Sequence, residues 1–148
     1  QGDRVEYDPY ASSRYTIAVG AIDDDDDASW YNELGSSMLV VAPSDGRTSN
    51  RGIFTTDLVG NPGYVAGDYT PSFGGTSSAS PLAAGVVALM LQANPGLSWR
   101  DVQHILVRTA RHNDASDPGW TTNGVGRSIN YAYGFGAIDA GAAVAMEK

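Results

Sequence analysis

The chain has 148 residues, 42% hydrophobic and 18% charged, which fits one globular domain or a large part of one and not a disordered segment. A formal net charge of −8 argues against nucleic acid as a partner, because that binding is driven by Lys and Arg neutralising phosphates. It leaves room for a cationic substrate or a divalent metal. Cysteine is absent, which excludes disulfides, thiol nucleophiles and cysteine metal sites. No apolar run approaches the roughly 20 residues of a membrane span.

The first buried strand is expected at 15–22, YTIAVGAI, an apolar run bounded by polar residues. The acidic run at 23–27 follows; like charges in series repel and belong in solvent, and ligand chemistry alone makes the run a minor candidate for a cation. Residues 38–42, MLVVA, read as a second strand stopped by Pro43, and 52–57 as an edge strand or hairpin arm. Residues 59–75 are dense in Gly and Pro and are expected to form a long loop.

Three helices are expected next. The first, from Ser77 to about residue 92, is apolar on nearly every side, the pattern of a buried helix. Gly85 within it suggests a close neighbour, since glycine there costs about 1 kcal/mol relative to alanine. The second opens on a capping box, Ser98 with Asp101, and carries one apolar stripe through Val102, Ile105 and Leu106. The third is expected at 140–147 with Asp139 as its N-cap. Strands first and helices later indicate a layered α/β part-domain.

One short stretch carries chemistry: GGTSSASPLAAG, residues 74–85. Serine is a weak nucleophile until a base takes its proton and donors stabilise the oxyanion. A helix N-terminus supplies free N–H groups and a favourable dipole, and Gly74 and Gly75 let a substrate backbone approach. The same residues also fit a plain capped helix with Ser77 as N-cap and Pro81 near the end of the first turn. From the residues alone both readings stand.

The segment GTSSASPLAAGVVALMLQANPGLSWRDVQHILVRTA resembles the nucleophile region of subtilisin-like serine proteases, most of all the kexin and furin branch. The resemblance continues in order through DPYASSRYTIAVGAID, WYNELGSS, TTDL and WTTNGVGRSINYAYGFGAIDAGAAVA, and so covers nearly the whole chain. It implies the C-terminal portion, residues 1–148, of a three-layer α/β catalytic domain with a mostly parallel central sheet. Ser77 would be the nucleophile, with Gly75 and Thr76 beside the substrate and the Ser77 N–H as an oxyanion donor. The family's Asp, His and oxyanion Asn lie upstream of the match to Gln1, so a companion N-terminal chain is expected to supply them. His104 and His112 do not fall where the family places its base. A nick in a surface loop just before Gln1, made by the protease itself after a basic residue, would produce such a chain.

Three carboxylates share the register of Ser77. Asp8 matches the acid that receives a basic side chain in the S1 pocket, as a buried, charge-assisted partner for Arg or, less well, Lys. Read alone, Asp8 could simply open a turn before Pro9. Asp3 and Glu33 match two ligands of a Ca²⁺ beneath that pocket, a third coming from upstream. The resemblance thus implies a calcium-dependent endopeptidase that cleaves after Arg through an acyl-enzyme, in an extracytoplasmic setting. Cysteines that eukaryotic members carry near Val5, Tyr7 and Leu34 are missing, which points to a prokaryotic relative. The rival expectation is an inactive fragment or a pseudo-protease that binds without cleaving.

Overall fold

Two parallel strands form the centre of the molecule, described here from a computed structural model that covers residues 2–47 and 51–146. β1 (Ala18–Ile22) lies beside β2 (Met38–Pro43). β1 begins three residues later than its apolar run, because Tyr15 and Thr16 belong to a turn closed by a Thr16 N–H bond to the Ser13 carbonyl (3.2 Å). Pro43 is the last, exposed residue of β2, a position where its missing N–H is tolerated. The ladder runs on one step further, Ser44 N–H donating to the Ile22 carbonyl (2.8 Å). On the far side of β2, Val41 bridges Ala137 in parallel.

The two faces of this sheet hold separate cores. Ala18 pairs with Met38, but Val19 pairs with Val40, so Leu39 is an extra residue, a β-bulge. Met38 and Val41 therefore join Ile22, Tyr133 and Ala137 on one face. Leu39 and Val40 face the helices, against Met90, Leu106 and Ala143. Near the strand ends Ala21 and Ala42 meet Ala79, three small side chains that let a helix cross close to the sheet.

That helix is α1 (Thr76–Ala93); α2 (Trp99–Thr109) and α3 (Ala140–Ala145) complete the helical layer. The capping box of α2 forms, with Asp101 N–H donating to Ser98 Oγ (3.3 Å) and Ser98 N–H to Asp101 Oδ2 (2.8 Å). Asp139 caps α3 through the Ala142 N–H (2.8 Å), and the expected end at residue 147 lies outside the described residues.

Two expectations are corrected. The loop at 59–75 contains β4 (Tyr69–Phe73), which pairs antiparallel with β3 (Ile53–Thr56). Gly and Pro mark the turn between the arms, while Phe54 stacks on Tyr69 across the pair (centroids 5.7 Å). A second small hairpin joins β5 (Thr121–Thr122) to β6 (Ser128–Ile129). The other correction concerns α1, which is not buried on all sides. Ser78, Ala79, Ala83 and Met90 are buried, but Leu82, Leu89 and Leu91 are 39–49% exposed, and nothing lies within 4 Å of a Cβ added at Gly85. By length and composition alone α1 could cross a membrane; here one side of it rests on β1 and β2.

Candidate active site

Ser77 is the second residue of α1, exposed, and not its N-cap. The cap is Gly75, with φ 78° and ψ 173° and no capping side chain. That backbone conformation is open to glycine and costly for other residues. The first turn leaves N–H groups without intrahelical acceptors, which suits a site where negative charge develops. Pro81 sits inside the helix, where it removes the N–H that would have bonded the Ser77 carbonyl.

Side chains from the carboxyl end of β2 and from the segment before it hold this turn from below. Gly75 N–H donates to Asp45 Oδ1 (2.7 Å) and shares a longer contact with the Tyr31 hydroxyl (3.2 Å). The Tyr31 hydroxyl donates to Asp45 Oδ1 and lies 2.7 Å from Ser44 Oγ. Ser44 Oγ and Ser78 Oγ bond one another at 2.7 Å, and both reach the Gly75 carbonyl, at 2.8 and 3.0 Å. Burial by itself would raise the Asp45 carboxyl; the bonds from Tyr31, Gly75 and Ser44 outweigh it and hold the group below the usual carboxylate range. Burial, and then Asp45, push the Tyr31 phenol up, so it serves as a donor. Gly74 has its own reason to be glycine: a Cβ there would collide with the Asp45 carboxylate. None of Tyr31, Ser44, Asp45 or Ser78 stood out in the sequence. The available signal was position, since polar residues directly after a parallel strand lie where α/β folds gather their sites.

A cleft of about 510 Å³ opens beside the serine, lined by Gly75, Thr76 and Ser77 and also by Asp8 and Glu33. The chain thus brings together five of the six residues singled out from the sequence. Asp8 is exposed, not buried, because this side of the cleft stands open. Its Oδ1 accepts from Tyr10 N–H (2.7 Å) and Ala11 N–H (3.0 Å), so it does open a turn. Asp3 does not line the cleft, and its Oδ1 accepts from Arg4 N–H (2.9 Å). A parallel bridge between Arg4 and Leu34 nevertheless sets residues 3 and 33 at neighbouring positions.

Neither histidine lines this cleft. His104 borders a different hollow, near Trp99 and Arg100, and His112 packs edge-on against Trp120 (4.1 Å). The acidic run is a turn closed by Asp23 N–H to the Asp27 carbonyl (2.9 Å), and Asp24, Asp25 and Asp27 are exposed to solvent as expected. Arg111 clasps Asp26 with two bonds (2.6 and 2.7 Å), and Arg51 reaches Asp24 (3.3 Å).

Known proteins resemble this chain along nearly its whole length. Human furin is 42% identical over 148 residues, covering 99% of this chain and 18% of furin. Neuroendocrine convertase 2 of Drosophila melanogaster is 42% identical over 151 residues, covering 99% of this chain and 22% of the convertase. The chain therefore spans about a fifth of the length of these curated relatives. Among solved structures, the serine protease of Aeromonas sobria superposes with a TM-score of 0.89 at 27% identity, over 97% of this chain and 31% of that one. Fervidolysin from Fervidobacterium pennivorans shares the subtilisin-like fold, with a TM-score of 0.64 at 23% identity over 95% of this chain and 20% of its own. The model of the subtilase family, Peptidase_S8, matches residues 1–136, and the chain belongs to that family.

Proposed function

We propose that this chain is the nucleophile-bearing part of a calcium-dependent serine endopeptidase that cleaves after Arg, and less readily after Lys. The observation that carries the reading is the shared cleft: an exposed Ser77 at a helix N-terminus faces the same space as the Asp8 carboxylate. Asp8 would take the guanidinium of the residue before the scissile bond, placing that bond's carbonyl carbon at Ser77 Oγ. As Oγ attacks, its proton passes to a base, and the Ser77 N–H with the helix dipole stabilises the oxyanion. The base then protonates the leaving amine as the C–N bond breaks, and water hydrolyses the resulting ester.

The base, its orienting Asp and the oxyanion Asn would come from an N-terminal companion portion of the same protease. The exposed apolar side of α1, with Leu82, Leu89 and Leu91, is a surface for that portion to cover. Asp3 and Glu33 offer hard oxygen ligands from neighbouring positions, a donor set that fits Ca²⁺ once further oxygens are added. A bound cation would fix the pocket wall that Glu33 lines. Calcium dependence favours an extracytoplasmic setting, and the lack of cysteines favours a prokaryotic source.

Alone, with no histidine in its cleft, the chain would bind without turning over, which is the specific ground for a non-catalytic reading. Intact-mass measurement of the complete protein, treated with a serine-reactive fluorophosphonate in calcium, separates the two. One adduct on wild type and none on Ser77→Ala supports the peptidase, while no adduct on wild type overturns it. Arg-, Lys- and Leu-terminated fluorogenic peptides, with and without EGTA, then test the specificity and the metal.

A further inference from the structure

We propose that Asp45 is a positioning residue for the nucleophile: its carboxylate anchors the Gly75 peptide and thereby fixes where the Ser77 hydroxyl and N–H point. The inference rests on the peptidase reading above, with Ser77 as the attacking group.

Gly75 is two residues before Ser77 and has φ 78°, in the backbone region that only glycine enters at low cost. Glycine is also the residue with most freedom to leave such a conformation, so a fixed Ser77 needs Gly75 held from outside. Both ends of its peptide are held. The N–H goes to Asp45 Oδ1 at 2.7 Å, and the carbonyl accepts Ser44 Oγ at 2.8 Å. An ionised carboxylate can only accept, so the Tyr31 hydroxyl must donate to Asp45. Asp45 is thus the common acceptor that orders Tyr31 and the Gly75 amide together. Gly74 is closed to a larger residue by the same carboxylate. Asp45 does not itself line the cleft, so it reaches the reaction through the Gly75 peptide and not by touching substrate.

The test uses the complete protease and three variants, Asp45→Ala, Asp45→Asn and Tyr31→Phe. Misplacement of a reacting group by about 1 Å costs on the order of 100-fold. Asp45→Ala is therefore expected to lower kcat and the rate of fluorophosphonate labelling by about 10- to 100-fold, with KM for an Arg peptide little changed. Asn keeps the Oδ1 that accepts from both the Gly75 N–H and the Tyr31 hydroxyl, so Asp45→Asn is expected to recover most of the loss. Tyr31→Phe removes one of the carboxylate's donors but leaves the Gly75 bond, and should fall between. Melting temperature is measured in parallel. Labelling by Asp45→Ala at the wild-type rate overturns the inference and leaves the peptidase reading intact. So does a loss in kcat no larger than the loss of folded protein, or a loss that Asn does not relieve. If Asp45→Ala does not fold, wild-type kcat in Tyr31→Phe together with a full loss in Asp45→Asn overturns it instead. A wild-type protein that takes no label overturns both readings at once.

Discussion

The two halves of α1 obey different rules. Its first turn is polar and tightly held: Ser78 is 2% exposed, and its hydroxyl reaches the Gly75 carbonyl and Ser44. The rest is apolar, yet Leu82, Leu89 and Leu91 stand open and Gly85 has empty space around it. Hydroxyls in the first turn therefore mark a turn that this chain already holds by itself, whereas the leucines mark a surface that, on the proposed reading, another piece of protein would complete. The two glycines carry the contrast most sharply, since Gly75 is required by its backbone and Gly85 by nothing within these residues.

The largest effect expected is at the held end. Ser77→Ala in the complete protease should lower kcat on the order of 10⁶-fold, measured with an Arg peptide. Loss of less than tenfold would move the nucleophile elsewhere. Next, Asp8→Asn should cut kcat/KM for Arg peptides by about 100-fold while moving Leu peptides less than about threefold. Equal losses on both peptides would make Asp8 a turn former only. Third, Gly75→Ala forces a side chain into φ 78°, costing about 1–3 kcal/mol in strain or displacing Ser77. Its kcat should fall further than its melting temperature implies. At the open end, Gly85→Ala should stabilise the 148-residue chain by about 1 kcal/mol in urea unfolding, and weaken retention of the N-terminal companion if that piece packs there. A gain in both settings would show that α1 stays uncovered.

The smallest effect concerns pH and lies away from both ends. Hydrogen bonding to Arg111, which exceeds the opposing cost of burial, lowers the Asp26 carboxyl below its usual range. The unfolded chain therefore takes up a proton at higher pH than the folded one. The contribution is fully present above the ordinary carboxylate pKa and is lost as pH falls through the lowered value. Both side chains are 40–48% exposed, so screening limits the pair to about 1 kcal/mol or less. Melting curves of wild type and Arg111→Met should converge in acid and separate slightly at neutral pH; parallel curves would assign the pair no role in folding.

What could be read from sequence follows the range of the forces involved. The capping box at Ser98 and the cap at Asp139 are contacts within three residues, and both stand as expected. β4 was missed because its signal is a pairing partner more than ten residues away, while the Gly and Pro between speak only of a turn. The burial of α1 was misjudged because apolar periodicity records what a helix is built to touch, not what is present to touch it. Within the site, Asp8, Glu33, Gly75, Thr76 and Ser77 were legible through a family pattern. Asp45 was not, since its partners Tyr31 and Gly75 are 14 and 30 residues away.

The bulge at Leu39 has a consequence well beyond the core. Alternation from Met38 without it would send residues 40, 42 and 44 to the Ile22 side of the sheet. With it they change phase, so that Val40 meets Met90, Ala42 meets Ala79, and Ser44 arrives at Ser78. Strand parity, reset by a single surplus residue, is thus what delivers Ser44 to the foot of the nucleophile's helix. A regular ladder that kept Leu39 and set it opposite Val19 would move every later residue by one place and turn that hydroxyl away from the serine loop it supports, whereas deleting Leu39 would leave Ser44 where it is.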